Sequence, residues 1–241
     1  MSMVLTSTGL FTIVADRRVR DPSGPRVVRD CAEIRMLDRL HLKVGAVEWN
    51  VHAASVHKGR RLPVVEIVVA DSDQIDAMSR MALRTLWDRA FGDRFSDHDA
   101  EHAYGGVHVL AREGTRLIGH ASAIPRRIRF GDQPWRTIGY VEAVATHPEC
   151  QGEGIGRRTM ETLQEEVYSR WPVALLSTGS ATGFYKLLGW ERWHGLSYTK
   201  TATGTVPDRE HGGLMILRLD RSVVPDLSVG VTCEDRTGDA W

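Results

Sequence analysis

The chain has little cysteine: Cys31, Cys150 and Cys233 are the whole set among 241 residues. An odd, sparse set cannot form a disulfide framework and suits a reducing compartment. Long apolar runs are missing as well. No stretch approaches the roughly 20 residues that span a bilayer, and Met1–Phe11 lacks the basic opening of a secretory signal. There is no internal repeat and no low-complexity tract. Net charge is absent too, since 31 Lys+Arg balance 31 Asp+Glu, so the basic excess typical of a nucleic-acid binder is not found. These absences predict a cytoplasmic protein that engages neither membrane nor nucleic acid. Cys150 reads as a small buried residue, because no base lies near it in sequence to make it a nucleophile.

With 42% hydrophobic residues, the chain can bury one good core and is bounded to one or two domains. The balanced charge hides an asymmetry. Residues 1–61 carry 11 basic against 6 acidic groups, leaving 20 against 25 in residues 62–241. An acidic domain would draw a polycation over about a Debye length, although mild acidity also serves solubility. Residues 1–61 offer only short apolar pieces (Val4–Val14, Ala46–Val51) around a polar, proline-interrupted loop at Arg17–Arg26. They read as a poorly ordered extension without catalytic duty.

The most informative stretch is Tyr140–Arg158. Tyr140–Thr146 has the β-branched, alternating character of a strand. A glycine-rich turn follows, Gln151-Gly152-Glu153-Gly154-Ile155-Gly156, and then Arg157-Arg158. Beyond it, Ile155, Met160, Leu163 and Val167 share one side of a helix ending near Pro172. Glycines let backbone N–H groups turn inward, and the first turn of a helix has unpaired donors. With the helix dipole, that combination makes a pyrophosphate site. The order Gln-x-x-Gly-x-Gly is neither the dinucleotide fingerprint nor a P-loop.

This motif resembles the acetyl-coenzyme A signature of the GNAT N-acetyltransferases. Gly139–Thr146, Ala174–Ser177, Phe184–Trp190, Trp193–Gly195 and the closing Gly238-Asp239-Ala240-Trp241 look like one subgroup, the aminoglycoside 2'-N-acetyltransferases. Ala90-Phe91 and the run from Asp99 through Glu101-His102 and Gly105-Gly106 to His108 fit the same pattern. The match covers roughly residues 62–241 and implies an α/β (α+β) GNAT fold, with a mixed central sheet flanked by helices. The pattern along the chain agrees. A strand at 64–70 leads, with Asp71-Ser72-Asp73 as cap, to a helix burying Ile75, Met78, Leu83 and Leu86. A loop or short helix runs through 93–104. Strands are expected at about 106–112, 116–124, 127–131 and 135–146, then helix 155–169, strand 173–177, a short helix near 181–188, and strands near 190–194 and 213–219.

The resemblance also implies roles. Glu142 would take the proton of an attacking amine through a water, and the Val144 N–H would bind the thioester oxygen where the strand splays. Tyr185 would return a proton to the departing thiolate. Gln151, Gly152, Glu153, Gly154, Ile155, Gly156 and Arg157, with Val144, would hold acetyl-coenzyme A as co-substrate, without a metal. Asp99, Glu142, Ser177, Glu210, Asp239 and Trp241, the last through its carboxylate, would line the site of a small-molecule aminoglycoside. Arg94 stands where the family commonly has an acidic residue, and Glu210 where it more often has aspartate. Many relatives are dimers, so a homodimer is implied.

Rival readings remain. The fold could acetylate another amine, such as a polyamine or a protein amino terminus, or bind the coenzyme as an inactive regulator. His98, Glu101 and His102 also fit the inverzincin pattern of a zinc peptidase, although Gly105-Gly106 leaves the helix at most a turn or two.

Overall fold

A computed structural model of the chain describes residues 65–208, 213–224 and 226–241, together with the backbone of short strands among the first 64 residues. Of those strands, Ser2–Leu5 pairs with Phe11–Val14 and Leu40–Val44 with Val47–Val51, while Arg26–Val28 adds to the edge of the main sheet. The expectation for the rest of residues 1–61 lies outside the described residues.

The main sheet begins with β1 (Val65–Asp71), which pairs antiparallel with β2 (Val107–Glu113). Between them lie α1 (Ala77–Phe91) and α2 (Asp97–His102). Asp71 does not cap α1. It caps a 3-10 turn, Ser72–Gln74, and Asp76 caps α1 by accepting from the Ser79 N–H at 2.7 Å. Leu83 and Leu86 are buried as expected and Trp87 joins them, whereas Met78 lies off that face and is 73% exposed.

β3 (Arg116–Phe130) is one strand of fifteen residues where two shorter ones were expected. Pro125 lies inside it, although proline cannot donate to a ladder. It is accommodated in a gap: β2 pairs with β3 as far as Ala123, and β10 (Val231–Glu234) takes the same edge from Ile128 onward. On its other side β3 pairs with β4 (Arg136–Thr146) from Gly119 to Ile128, with one irregularity between His120 and Ser122. The sheet therefore forks. One arm is β1–β2, and the other runs from β10 through β7 (Ser197–Thr201) to β8 (Gly204–Pro207).

After β4 come α3 (Ile155–Arg170), β5 (Val173–Ser177), α4 (Thr182–Leu187), β6 (Glu191–Arg192) and β9 (Leu214–Arg218). β5 pairs parallel with β4 and antiparallel with β9, and β6 closes that edge. Strand alternation distributes the core. Val107, Val109 and Ala111 of β2 pack with Met160, Leu163 and Val167 of α3 on one face, while Leu110 packs with Leu83, Leu86 and Trp87 of α1 on the other. The four α3 residues expected to face inward are all buried. Truncating Leu163, which is fully buried, to alanine would cost about 2–5 kcal/mol.

Candidate active site

The site is organised by a break in the β3–β4 ladder. Pairing runs His120 with Ala145 and then Ser122 with Glu142, so β4 carries one residue more than β3 across this interval. That is a β-bulge. Ala143 sits in it at φ 51°, the left-handed region that a residue with a Cβ seldom adopts. A bulge strips carbonyls of their ladder partners, and here side chains of β3 replace them. Ser122 Oγ donates to the Glu142 carbonyl at 3.2 Å, and His120 Nδ1 lies 2.9 Å from the Ala143 carbonyl. Strain at Ala143 is thus held by the surrounding network.

His120 belongs to a longer buried chain. Its Nε2 is 3.0 Å from His108 Nδ1, and His108 Nε2 is 2.8 Å from Ser72 Oγ. Trp87 Nε1 also approaches His120 Nδ1, at 3.2 Å. One proton arrangement satisfies the Ala143 carbonyl and the other satisfies the Trp87 N–H. Both keep each ring neutral. Burial pushes His108 down to about 4 and His120 to about 3.

On the other side of β4, parallel pairing with β5 is limited to Gly139–Ala174 and Tyr140–Leu175. Beyond it no further pair joins the two strands. The gap opens into a cleft of about 590 Å³, lined by Val144, Gln151, Gly152, Gly154, Ile155, Gly156 and Arg157 on one wall and by Phe184 and Tyr185 on the other. Gly154 stands immediately before α3 at φ 80° and offers no side-chain cap to the N–H groups of the first helical turn. A Cβ on Gly156 would come within 3.0 Å of Thr146 Oγ1, and side-chain volume there would narrow the cleft. A bare, dipole-directed set of donors fits a pyrophosphate. Glu153 does not line the cleft: it is exposed on the outer side of the turn. Arg157 does, although its guanidinium pairs with Glu161 at 2.8 Å.

Glu142 is mostly buried, and burial pushes its carboxyl up; the Arg236 guanidinium, 2.8 Å away, opposes that shift. Tyr185 is buried against Phe184 and Trp190, and burial raises its phenol well above the usual tyrosine range. It therefore stays protonated at neutral pH, as a proton donor must.

The segment after β10 folds back towards Glu142. Arg126 of β3 donates to the carbonyls of Ala240 (2.5 Å) and Glu234 (2.7 Å), and the Cys233 thiol donates to Ala240 at 3.4 Å. His102 Nε2 is 2.8 Å from the Thr237 carbonyl, and Trp241 is buried in the cluster of Tyr140, Leu175 and Trp193. Gly238 turns at φ 84°, where a Cβ would meet His98 Cβ at 2.8 Å. His98 and His102 therefore contact the closing segment. Among the described residues no group of three His, Cys, Asp or Glu side chains could hold a metal.

The proposed acceptor groups are distributed unevenly. Asp99 completes a capping box with Ser96, its Oδ2 accepting from the Ser96 N–H at 2.8 Å, yet it is near enough to raise the Glu142 carboxyl. Asp239 is exposed and accepts the Trp241 N–H at 3.0 Å. Ser177 is exposed at the end of β5. Glu210 lies outside the described residues.

Residues 75–193 match the family described as acetyltransferase (GNAT) domain. An aminoglycoside 2'-N-acetyltransferase of Mycolicibacterium fortuitum is 32% identical over 174 residues, covering 70% of this chain and 89% of that protein. The GNAT family N-acetyltransferase YhbS of Escherichia coli, solved with CoA, superposes with a TM-score of 0.54 at 14% identity, over 76% of this chain and 98% of that one. The GCN5-related N-acetyltransferase of Kribbella flavida aligns with a TM-score of 0.44 at 17% identity, over 55% of this chain and 34% of that one. The chain belongs to the GNAT acetyltransferases. Its mixed sheet flanked by helices is the fold shared with YhbS.

Arg236, Arg126 and His120 escaped the sequence reading. Arg236 meets Glu142 across 94 positions of chain, a pairing no local spacing encodes. His108 stood within the resembling pattern, but only the fold brings His120 to it.

Proposed function

We propose that the protein transfers acetyl directly from acetyl-CoA to the 2'-amino group of an aminoglycoside in a ternary complex. The observation carrying this reading is the cleft beside the bulge: Val144 and Tyr185 line it together with the Gln151–Arg157 turn, and the buried carboxyl of Glu142 stands two residues before Val144 on the same strand. The name of the M. fortuitum relative supports the acceptor class. The cleft supports the donor: Gln151–Arg157 binds the pyrophosphate by backbone N–H groups, and Val144 N–H fixes the thioester oxygen.

Glu142 removes the amine proton, directly or through water. Burial makes its carboxylate a stronger base than an exposed glutamate, which is the useful direction for deprotonating an ammonium group. Tyr185, protonated at neutral pH, delivers a proton to the departing thiolate. With both reactants held side by side, direct attack needs no covalent enzyme intermediate. Asp99, Ser177, Glu210 and Asp239 hold the other ammonium and hydroxyl groups; each charge-assisted contact contributes about 1.5–3 kcal/mol. Residues 62–241 are the catalytic domain, and residues 1–61 carry no catalytic duty.

The test is thiol release from acetyl-CoA across a panel of aminoglycosides, with the acetylated nitrogen located by NMR. Release with 2'-amino compounds and none with 2'-hydroxyl analogues is the expected result. Release only with a polyamine or a peptide amine would replace the acceptor, and a 62–241 fragment folded but inactive would overturn the assignment of domains.

A further inference from the structure

Arg236 is the group on the closing segment that reaches the candidate base. Its Nη1 lies 2.8 Å from Glu142 Oε1, with both side chains largely shielded from water. The N–H is not directed along that line, so the contact is ionic rather than an aligned hydrogen bond. The guanidinium is itself fixed. Its Nε donates to the Asp239 carbonyl at 2.7 Å, and its Cζ lies 5.8 Å from the centroid of the Tyr140 ring.

We propose that Arg236 is a positioning residue for Glu142: it holds the buried carboxylate ionised and in place, so that the base is competent at neutral pH. The inference rests on the reading of Glu142 as base. Its weight comes from what else anchors the segment. Arg126 binds two of its carbonyls, His102 a third, the Cys233 thiol shares one of them, and Trp241 is buried. A strap held at so many points has little need of Arg236 as a fastener. What the guanidinium adds that the others do not is a positive charge in contact with Glu142.

The remaining groups around Glu142 cannot substitute. Arg126 of β3 acts in the same direction from further away, whereas Asp99 of α2 raises the carboxyl, and Tyr140 of β4 is neutral. His102 of α2, on the far side of Arg236, is held towards its neutral form by burial and by that guanidinium. Cys233 of β10 is a buried thiol with its proton retained. Remove Arg236, and the upward push of burial on the Glu142 carboxyl is opposed only by the more distant Arg126.

The experiment compares wild type with Arg236→Met, Arg236→Lys and Glu142→Gln. The Glu142 carboxyl is followed by carbon-13 NMR of labelled glutamate, with Glu142→Gln identifying its signal, and kcat/KM is measured from pH 5.5 to 9. In Arg236→Met the Glu142 titration and the acidic limb of kcat/KM should both move to higher pH. The rate should fall about tenfold at pH 6, the equivalent of one unit of displacement, and return to within about threefold of wild type at pH 9. Arg236→Lys should recover most of the loss. A Glu142 signal that titrates unchanged in a folded Arg236→Met variant, or a loss uniform across pH, overturns the proposal while leaving the base assignment standing. Wild-type rate and pH limb in Glu142→Gln overturn the base assignment, and with it this role.

Discussion

The buried pair His108–His120 makes acid stability the most quantitative consequence of this structure. Both rings titrate near 6.5 when unfolded and at about 4 and about 3 when folded. Depressed folded values mean that the unfolded chain takes up protons first. The stabilisation is complete above pH 6.5 and is lost as pH falls towards 4. Between those limits unfolding takes up nearly two protons, a slope of about 2.7 kcal/mol per pH unit. At pH 5 each ring accounts for about 2 kcal/mol, together about 4 kcal/mol, a large share of the ~5–15 kcal/mol typical of a domain. Glu142 opposes this by at most one proton, since its raised carboxyl favours the folded state as pH falls. Asp76, Asp220, Asp226 and Glu149 are held below the usual range and act only in more acidic solution. Urea unfolding at intervals from pH 7.5 to 5, followed by tryptophan fluorescence, measures the slope directly. His120→Asn places a donor where Nδ1 reaches Ala143 yet cannot be protonated, so its slope should fall to about half. A wild-type stability that changes by less than about 1 kcal/mol between pH 7 and 5 would refute the reasoning.

Three further outcomes follow from single contacts in the cleft and the closing segment. Gly156→Val sets branched carbons against Thr146 Oγ1, already 3.0 Å from an added Cβ, and should raise the calorimetric Kd for CoA at least about tenfold in a folded protein. Tyr185→Phe should lower kcat by about 10²-fold with acceptor KM nearly unchanged, because only the departing thiolate loses its donor. Gly238→Val must take φ 84° and displace His98, at a cost of about 1–3 kcal/mol; acceptor KM should rise about tenfold while CoA affinity, measured by calorimetry, holds.

What was legible in the sequence is what local chemistry encodes. The Gln151–Gly156 turn, the α3 face and the β5 strand depend on neighbours within a few residues, and each stands where the pattern placed it. The cap at Asp76 was misread because nearby aspartates compete for one helix start, and the unbroken β3 because its continuity depends on β4, β2 and β10 pairing along its edges. β7, β8 and β10 went unread. β10 alternates weakly, as Val231-Thr232-Cys233-Glu234, and is a strand because β3 and β7 flank it.

The same division separates the candidate base from what controls it. Glu142 is marked in sequence by the turn it precedes, but its charge state is set by burial against the opposing charge of Arg236, and the bulge beneath it is held by Ser122 and His120. Those partners arrive from β3 and from the end of the chain. A single fold-back, anchored by Arg126 and Trp241, therefore does two things at once: it covers the β4 side of the site and delivers the cation that keeps Glu142 ionised. If so, substitutions that loosen the strap without touching Arg236, such as Gly238→Val, should also shift the acidic limb of kcat/KM upward, in proportion to how far the guanidinium is drawn away. A strap variant with a raised acceptor KM and an unmoved limb would separate the two roles.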